Sequence, residues 1–146
     1  MDITYTPIGY FKTPFTALEN VPIQPTEAKS AEGIIEVFPE FAEGLKDLEG
    51  FSHVHVLYHL HAMIGYDLMV KPCLDAKLRG IFATRAAKRP NPIGLSVMRL
   101  AKVTDTSVVL HGVDVLDHTP VLDIKPYVAD FDRCDADRFG WLEGKR

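Results

Sequence analysis

The chain has 146 residues, 47% of them hydrophobic and 25% charged, a length and balance that suit one folded core and exclude a disordered or fibrous chain. Sixteen Lys and Arg against twenty Asp and Glu leave a formal charge of −4, which argues against a protein that grips nucleic acid over its whole surface. No run approaches the roughly eighteen apolar residues that a bilayer crossing needs, and polar Asp2, Thr4 and Thr6 stand where a secretory leader would be basic and then apolar; a cytoplasmic protein with no membrane partner is expected.

Ten prolines and ten glycines are spread along the chain and punctuate short apolar segments, the pattern of a mostly β domain. In chain order the predicted strands are Ile3–Phe11, Gly33–Phe38, His53–His61, Gly80–Thr84, Gly94–Thr104 and Ser107–Asp114, with short helical turns over Glu40–Leu48 and Asp132–Phe139. The clearest is the third. Strand side chains alternate faces, so Val54, Val56, Tyr58 and Leu60 point to a core while His53, His55, Leu57, His59 and His61 point away. The pair Asp105-Thr106 separates two β-branched runs and predicts a two-residue hairpin, although it lacks the usual glycine. The fold class expected is mainly β: a small single barrel, or a folded mixed sheet, with short helices, over residues 1–146 as one domain. Closure would remove exposed strand edges.

Two segments are dense in chemistry. From Arg79 to Gly94 the chain holds Arg85, Arg89 and Asn91 beside Pro90 and Pro92; the prolines fix their own φ and hold the preceding residues extended, so the polar side chains can be held in defined directions. Basic residues concentrate here (Lys77, Arg79, Arg85, Lys88, Arg89, Arg99), with no acidic residue from Ala76 through Thr104. The alternative is a surface turn with solvated arginines. The second segment, Asp114 to Tyr127, sets Asp114, Asp117, Asp123, Lys125 and Tyr127 at the ends of apolar runs. Asp123 and Lys125 share a face if the segment is extended, which fits a structural ion pair as well as a site role.

Together, Gly80-Ile-Phe-Ala-Thr-Arg85, Arg89-Pro-Asn-Pro-Ile-Gly94 and Asp114 through Tyr127 resemble the YaeB-like family, also called TsaA-like or TrmO, with support from Ile8-Gly9, Ile23-Gln24-Pro25, Gly44-Leu45 with Leu48, Phe51-Ser52-His53 and Phe139-Gly-Trp141. The resemblance implies an S-adenosylmethionine-dependent methyltransferase that acts on N6 of threonylcarbamoyladenosine beside the tRNA anticodon, on a small β-barrel, usually as a homodimer. It assigns the cofactor to Gln24, Pro25, Thr26 and Glu27, to His61 and Ala62, to Arg85 and Leu95, and to the turn Asp117-His118-Thr119-Pro120-Val121. Arg89, Pro90 and Asn91 become substrate-side candidates. Asp123, Lys125 and Tyr127 become catalytic candidates without assigned roles. The chain departs from the pattern at His118, where glycine is usual, at Ala86-Ala87, where a serine and often a proline follow the Thr-Arg pair, and in stopping soon after Trp141, where bacterial members commonly continue into a domain thought to help hold tRNA.

No strand followed by G-x-G-x-x-G and a helix is present, so a barrel cleft is expected to hold the cofactor in place of a doubly wound sheet. Two other functions stay open. His53, His55, His59 and His61 offer pairs two apart on one strand face, the geometry of a metal-dependent barrel enzyme, but no further ligand is evident and Cys73 and Cys134 form no CxxC pair; no metal is expected. The other is a module that binds S-adenosylmethionine as a sensor without transferring methyl groups.

Overall fold

A computed structural model describes residues 1–21 and 31–145. They fall into two compact units, Met1–His61 with Ile93–Tyr127 and Ala62–Pro92 with Val128–Arg146.

The first unit is a closed barrel of six antiparallel strands: β1 Gly9–Lys12, β2 Glu32–Val37, β3 His53–His59, β6 Ile93–Val103, β7 Ser107–His111 and β8 Pro120–Pro126, in the order β1-β2-β7-β6-β3-β8 with β8 returning to β1. β3 forms as its alternation predicts. Val54, Val56 and Tyr58 are buried, His53, His55 and Leu57 half-buried and His59 exposed, and the inward set packs with Phe11, Ile35, Met98, Leu110 and Val121. Fully burying one such side chain contributes about 1.5–3 kcal/mol. β6 and β7 make the predicted hairpin: Thr104 N–H donates to the Ser107 carbonyl at 2.8 Å and Ser107 N–H to Thr104 Oγ1 at 3.0 Å. The hydroxyl thus supports a turn that lacks glycine.

Several boundaries differ from the sequence reading. The first strand begins at Gly9 and leaves Ile3 and Tyr5 exposed; Pro7 has no N–H to contribute to a ladder. The strand after Ser107 ends at His111 because Gly112 turns the chain with φ +79°. β8 has no counterpart among the predicted strands. Glu40–Leu48 contains a 3-10 turn over Pro39–Leu45 and a second beginning at Leu48. In place of a helix over Asp132–Phe139 there is one short α-helix, α1, over Ala129–Asp132. Asp132 Oδ2 accepts from Val128 N–H at 2.8 Å, whereas Asp135 and Asp137 would extend the helix with negative charge at its unfavourable end.

The second unit contains the two-stranded ribbon of β4 Met69–Val70 and β5 Arg79–Gly80, α1, and 3-10 turns at Ile81–Ala83 and Gly140–Leu142. Gly80–Thr84, predicted as a strand, is this turn. Thr84 N–H and Oγ1 both donate to the Ile81 carbonyl, at 3.1 and 2.8 Å, so the hydroxyl closes a local turn in competition with a ladder. No described helix is long and apolar enough to cross a membrane.

Two glycines are set by close approach. A Cβ on Gly9 would lie 2.9 Å from Val37 Cα and nearer still to the Glu36 carbonyl, and one on Gly94 would lie 2.7 Å from Tyr58 Cδ2. The β1–β2 contact cannot yield, because both sides are backbone. Gly9→Ala is therefore expected to cost about 1–3 kcal/mol, the range for overpacking, in urea unfolding. Gly44→Ala, with nothing within 4 Å of its Cβ, should leave the midpoint nearly unchanged.

Candidate functional site

The barrel register gathers one part of the predicted set at one end. Tyr58 of β3 stands opposite both Gly94 of β6 and Val121 of β8, so the end of β3, the start of β6 and the start of β8 share a rim. Leu95, His61 and the turn Asp117–Val121 lie there; His61 stands two residues beyond β3, its N–H donating to the His59 carbonyl at 2.8 Å.

The turn is fastened to β1 and the segment after it. Asp117 N–H donates to Phe15 O at 2.8 Å, His118 N–H to Phe11 O at 2.9 Å, and Phe11 N–H to Thr119 O at 2.9 Å. Asp117 Oδ1 accepts from Thr13 N–H at 2.9 Å, while the Thr13 hydroxyl donates to Val115 O at 2.8 Å. Thr119, 2% exposed, closes the turn by donating its hydroxyl to Leu116 O at 2.7 Å. Thr13, absent from the sequence reading, is thus the brace of the turn; its single hydroxyl far from the motif gave no signal. His118 adopts φ +66°, the left-handed conformation that favours glycine. Its Nε2 lies 3.3 Å from Asp117 Oδ2, with the side chain 76% exposed.

A bulge decides where the catalytic candidates point. Leu57 pairs with Asp123 whereas its neighbour Tyr58 pairs with Val121, so Leu122 is an extra residue. With that extra residue Val121 stays in the core and Asp123 faces outward; an unbroken register would set Asp123 opposite Val56, pointing into the barrel. Asp123, Leu57 and Leu95 consequently form one outward row across β8, β3 and β6. Lys125, two residues on, stands opposite His55, and its Nζ lies 3.0 Å from Asp123 Oδ2. Tyr127 N–H donates to His53 O at 3.0 Å, which sets it four β3 residues, about 13 Å, farther from the rim. Its ring lies 5.4 Å from that of His55 and 6.4 Å from that of His53.

In the second unit Arg85 is exposed on a fastened loop. Arg89 Nη1 donates to Thr84 O at 3.0 Å and Ala86 O at 2.9 Å, and Trp141 Nε1 donates to Ala83 O at 2.7 Å. Arg89, expected on the substrate side, thus spends hydrogen bonds on its own loop. Asn91 is exposed and Pro90 half-buried. Asp75, with 6% of its side chain exposed, takes Arg79 Nε at 2.6 Å and Lys145 Nζ at 2.9 Å. The Lys145 hydrogen bond, offset in part by burial and reinforced by Arg79 and by the Ala76 and Lys77 N–H groups, holds this carboxyl well below the usual carboxylate range. Ala62 is exposed. Gln24, Pro25, Thr26 and Glu27 lie outside the described residues. Among those described, no group of three or more His, Cys, Asp or Glu side chains is arranged to hold a metal ion.

Known proteins are similar to this chain in sequence and architecture. A family model described as the tRNA-methyltransferase O N-terminal domain matches residues 10–133. The chain is 51% identical over 141 residues to a probable S-adenosyl-L-methionine-binding protein of Pyrococcus abyssi, covering 97% of this chain and 77% of that protein. It is 41% identical over 133 residues to the tRNA (adenine(37)-N6)-methyltransferase of Mus musculus, covering 86% of this chain but 31% of that one. The crystal structure of TrmO from Pseudomonas aeruginosa superposes with a TM-score of 0.83 at 39% identity, over 100% of this chain and 65% of that chain. The chain therefore spans less than two thirds of that solved chain and under a third of the mouse protein.

The backbone at His118 supplies a prediction. A non-glycine residue in the left-handed region costs about 1–2 kcal/mol, against about 0.5–1 kcal/mol of extra chain entropy lost by glycine on folding. His118→Gly should raise stability by roughly 0.5 kcal/mol in urea unfolding, and a loss of stability would show that the imidazole contributes more than its conformation costs.

Proposed function

We propose that this chain, which belongs to the tRNA-methyltransferase O family, binds S-adenosylmethionine and methylates N6 of an adenine in tRNA. The substrate nucleoside is threonylcarbamoyladenosine beside the anticodon, and residues 1–146 act as one domain, in the cytoplasm and as a homodimer. The observation that carries this reading is the rim of the barrel, where Leu95, His61 and the braced turn Asp117–Val121 meet. These are positions that the family pattern gives to the cofactor.

The residues suit that group. Ile93, Leu95 and Val97 leave 42%, 49% and 48% of their surface exposed along β6, an apolar bed of the kind that takes a purine face. The backbone of the adjoining turn is fastened, so little order remains to be imposed on binding. Arg85 enters through the family pattern, with chemistry to match: a guanidinium binds a carboxylate through two parallel hydrogen bonds. Bound there, the sulfonium would supply the methyl, with the S–CH3 electron pair returning to sulfur as a neutral thioether and one proton leaving the acceptor nitrogen.

This chain's residues have then to hold the acceptor in line and take that proton. Asp123 is the base best supported by position, because it occupies the same outward row as Leu57 and Leu95. Lys125, opposite His55 in the neighbouring row, pairs with the carboxylate at 3.0 Å. Tyr127 and His55 lie farther along the same face and suit the substrate side, where an aromatic ring can stack on a base.

Calorimetric titration with S-adenosylmethionine is expected to show saturable binding that Arg85→Ala weakens about a hundredfold, the loss of one charge-assisted contact. Labelled methyl should pass to tRNA carrying threonylcarbamoyladenosine. Asp123→Asn should slow that transfer by about 10²–10⁴-fold, the range for a general base, with cofactor affinity kept. No heat at millimolar cofactor from folded protein overturns the reading. Binding without transfer to any tRNA leaves a sensor.

A further inference from the structure

The second unit contains a device that no step above uses. Trp141 sits 58 residues from Ala83 in sequence and donates its indole N–H to the Ala83 carbonyl at 2.7 Å. Ala83 ends the 3-10 turn that leads through Thr84 into Arg85. The indole is itself gripped: the Arg79 guanidinium carbon lies 5.8 Å from its ring centroid and Lys145 Nζ 6.0 Å, within reach of a cation–π attraction. Both cations bind one carboxylate, that of Asp75. The segment Trp141–Lys145 is thus fastened at one end to the carbonyl before Thr84 and at the other to Asp75.

On the far side of Arg85 the loop is fixed separately. Arg89 holds the carbonyls of Thr84 and Ala86, and Ala86 N–H donates to Thr84 Oγ1 at 3.3 Å. Before Arg85 the chain is tied locally by Thr84 to the Ile81 carbonyl and from a distance by Trp141 to the Ala83 carbonyl, and Arg89 spans Arg85. A loop tied on one side only keeps torsional freedom about its free flank, whereas one tied on both sides holds its side chain over a narrow range of directions. That difference bears on a bidentate contact, whose two hydrogen bonds fail together when the guanidinium plane tilts.

The geometry points to Trp141 as a positioning residue for Arg85, with Lys145, Asp75 and Arg79 as the latch that seats its indole. Trp141 acts through the loop and touches no reacting group. The inference rests on the reading that Arg85 meets the carboxylate of S-adenosylmethionine.

A double-mutant cycle separates positioning from plain stability. Trp141→Phe keeps an aromatic ring beside the two cations and removes the N–H. It should weaken S-adenosylmethionine binding about five- to tenfold, the worth of one hydrogen bond, in the unaltered chain, and by less than twofold when Arg85 is already alanine. Amide exchange across residues 84–89 should quicken at least fivefold in Trp141→Phe and in Lys145→Met, with β3 and β6 amides unchanged. Trp141 is the only tryptophan of the chain, so Lys145→Met should also shift its emission to the red as the ring loses a cover. Equal losses with and without Arg85, or no loss at all, overturn the positioning role. Failure of the unaltered protein to bind S-adenosylmethionine overturns the functional reading alone; the exchange experiment then decides the clasp, and unchanged exchange across 84–89 overturns it.

Discussion

β8 pairs with β3 on one side and β1 on the other, and both the closure of the barrel and the display of the candidate site depend on this double pairing. Without it, β1 and β3 would each present a row of unpaired N–H and C=O groups, the edge that natural sheets blunt or cover. Tyr58 shows how tightly the requirement is drawn. Its ring packs edge-on against Phe11 of β1 at 5.8 Å, its hydroxyl bonds Ser96 Oγ at 2.8 Å, and Gly94 leaves it room. A single inward side chain therefore ties β1, β3 and β6 at the level where β8 enters. The Leu122 bulge sits at the same level.

Closure and chemistry consequently share a segment. The turn Asp117–Val121 must deliver β8 into the gap, and its hydrogen bonds to Phe11, Thr13 and Phe15 do that whether or not a ligand is present. The left-handed residue within it is a cost of folding in this chain, since His118 stands where a glycine would pass without strain. The bulge one residue beyond Val121 then turns Asp123 and Lys125 from core to surface. In a strand whose other residues follow the ordinary two-residue alternation, one inserted residue converts two buried charges, which the core would not tolerate unpaired, into an outward ion pair.

Legibility in the sequence followed this division. β3 was readable because Val54, Val56 and Tyr58 alternate with histidines, and the barrel buries that set because every second side chain of a strand faces the same way; β2, β6 and β7 carry enough β-branched residues to be found within a few positions of their ends. β8 was not readable as a strand. It opens and closes on prolines, carries Asp and Lys at its centre, and breaks its own alternation at Leu122, so every local cue argued against it. Its motif residues stood out, and the register that makes sense of them did not. The loop from Gly80 to Thr84 failed in the opposite direction: Ile, Phe and Thr favour strands, and a side-chain hydroxyl with a local carbonyl partner prevailed over that preference. Asp75 had no signal beyond standing four residues before Arg79.

The fate of the basic stretch constrains how any anionic substrate is recognised. Of its six cations, Arg79 is bound to Asp75 and Arg89 to two carbonyls of its own loop, so at least two of the six are engaged in local structure. On a chain of net charge −4, nonspecific attraction to a phosphate backbone is then weak, because that attraction scales with the number of phosphates neutralised. The outward face of the barrel offers directional contacts instead: the row from Leu95 to Asp123, and the rings of His55 and Tyr127, tilted against each other at 5.4 Å. Hydrogen bonds and ring contacts read a base itself, whereas charge reads only the backbone, so a face built of such contacts has more to offer a base than a run of phosphates.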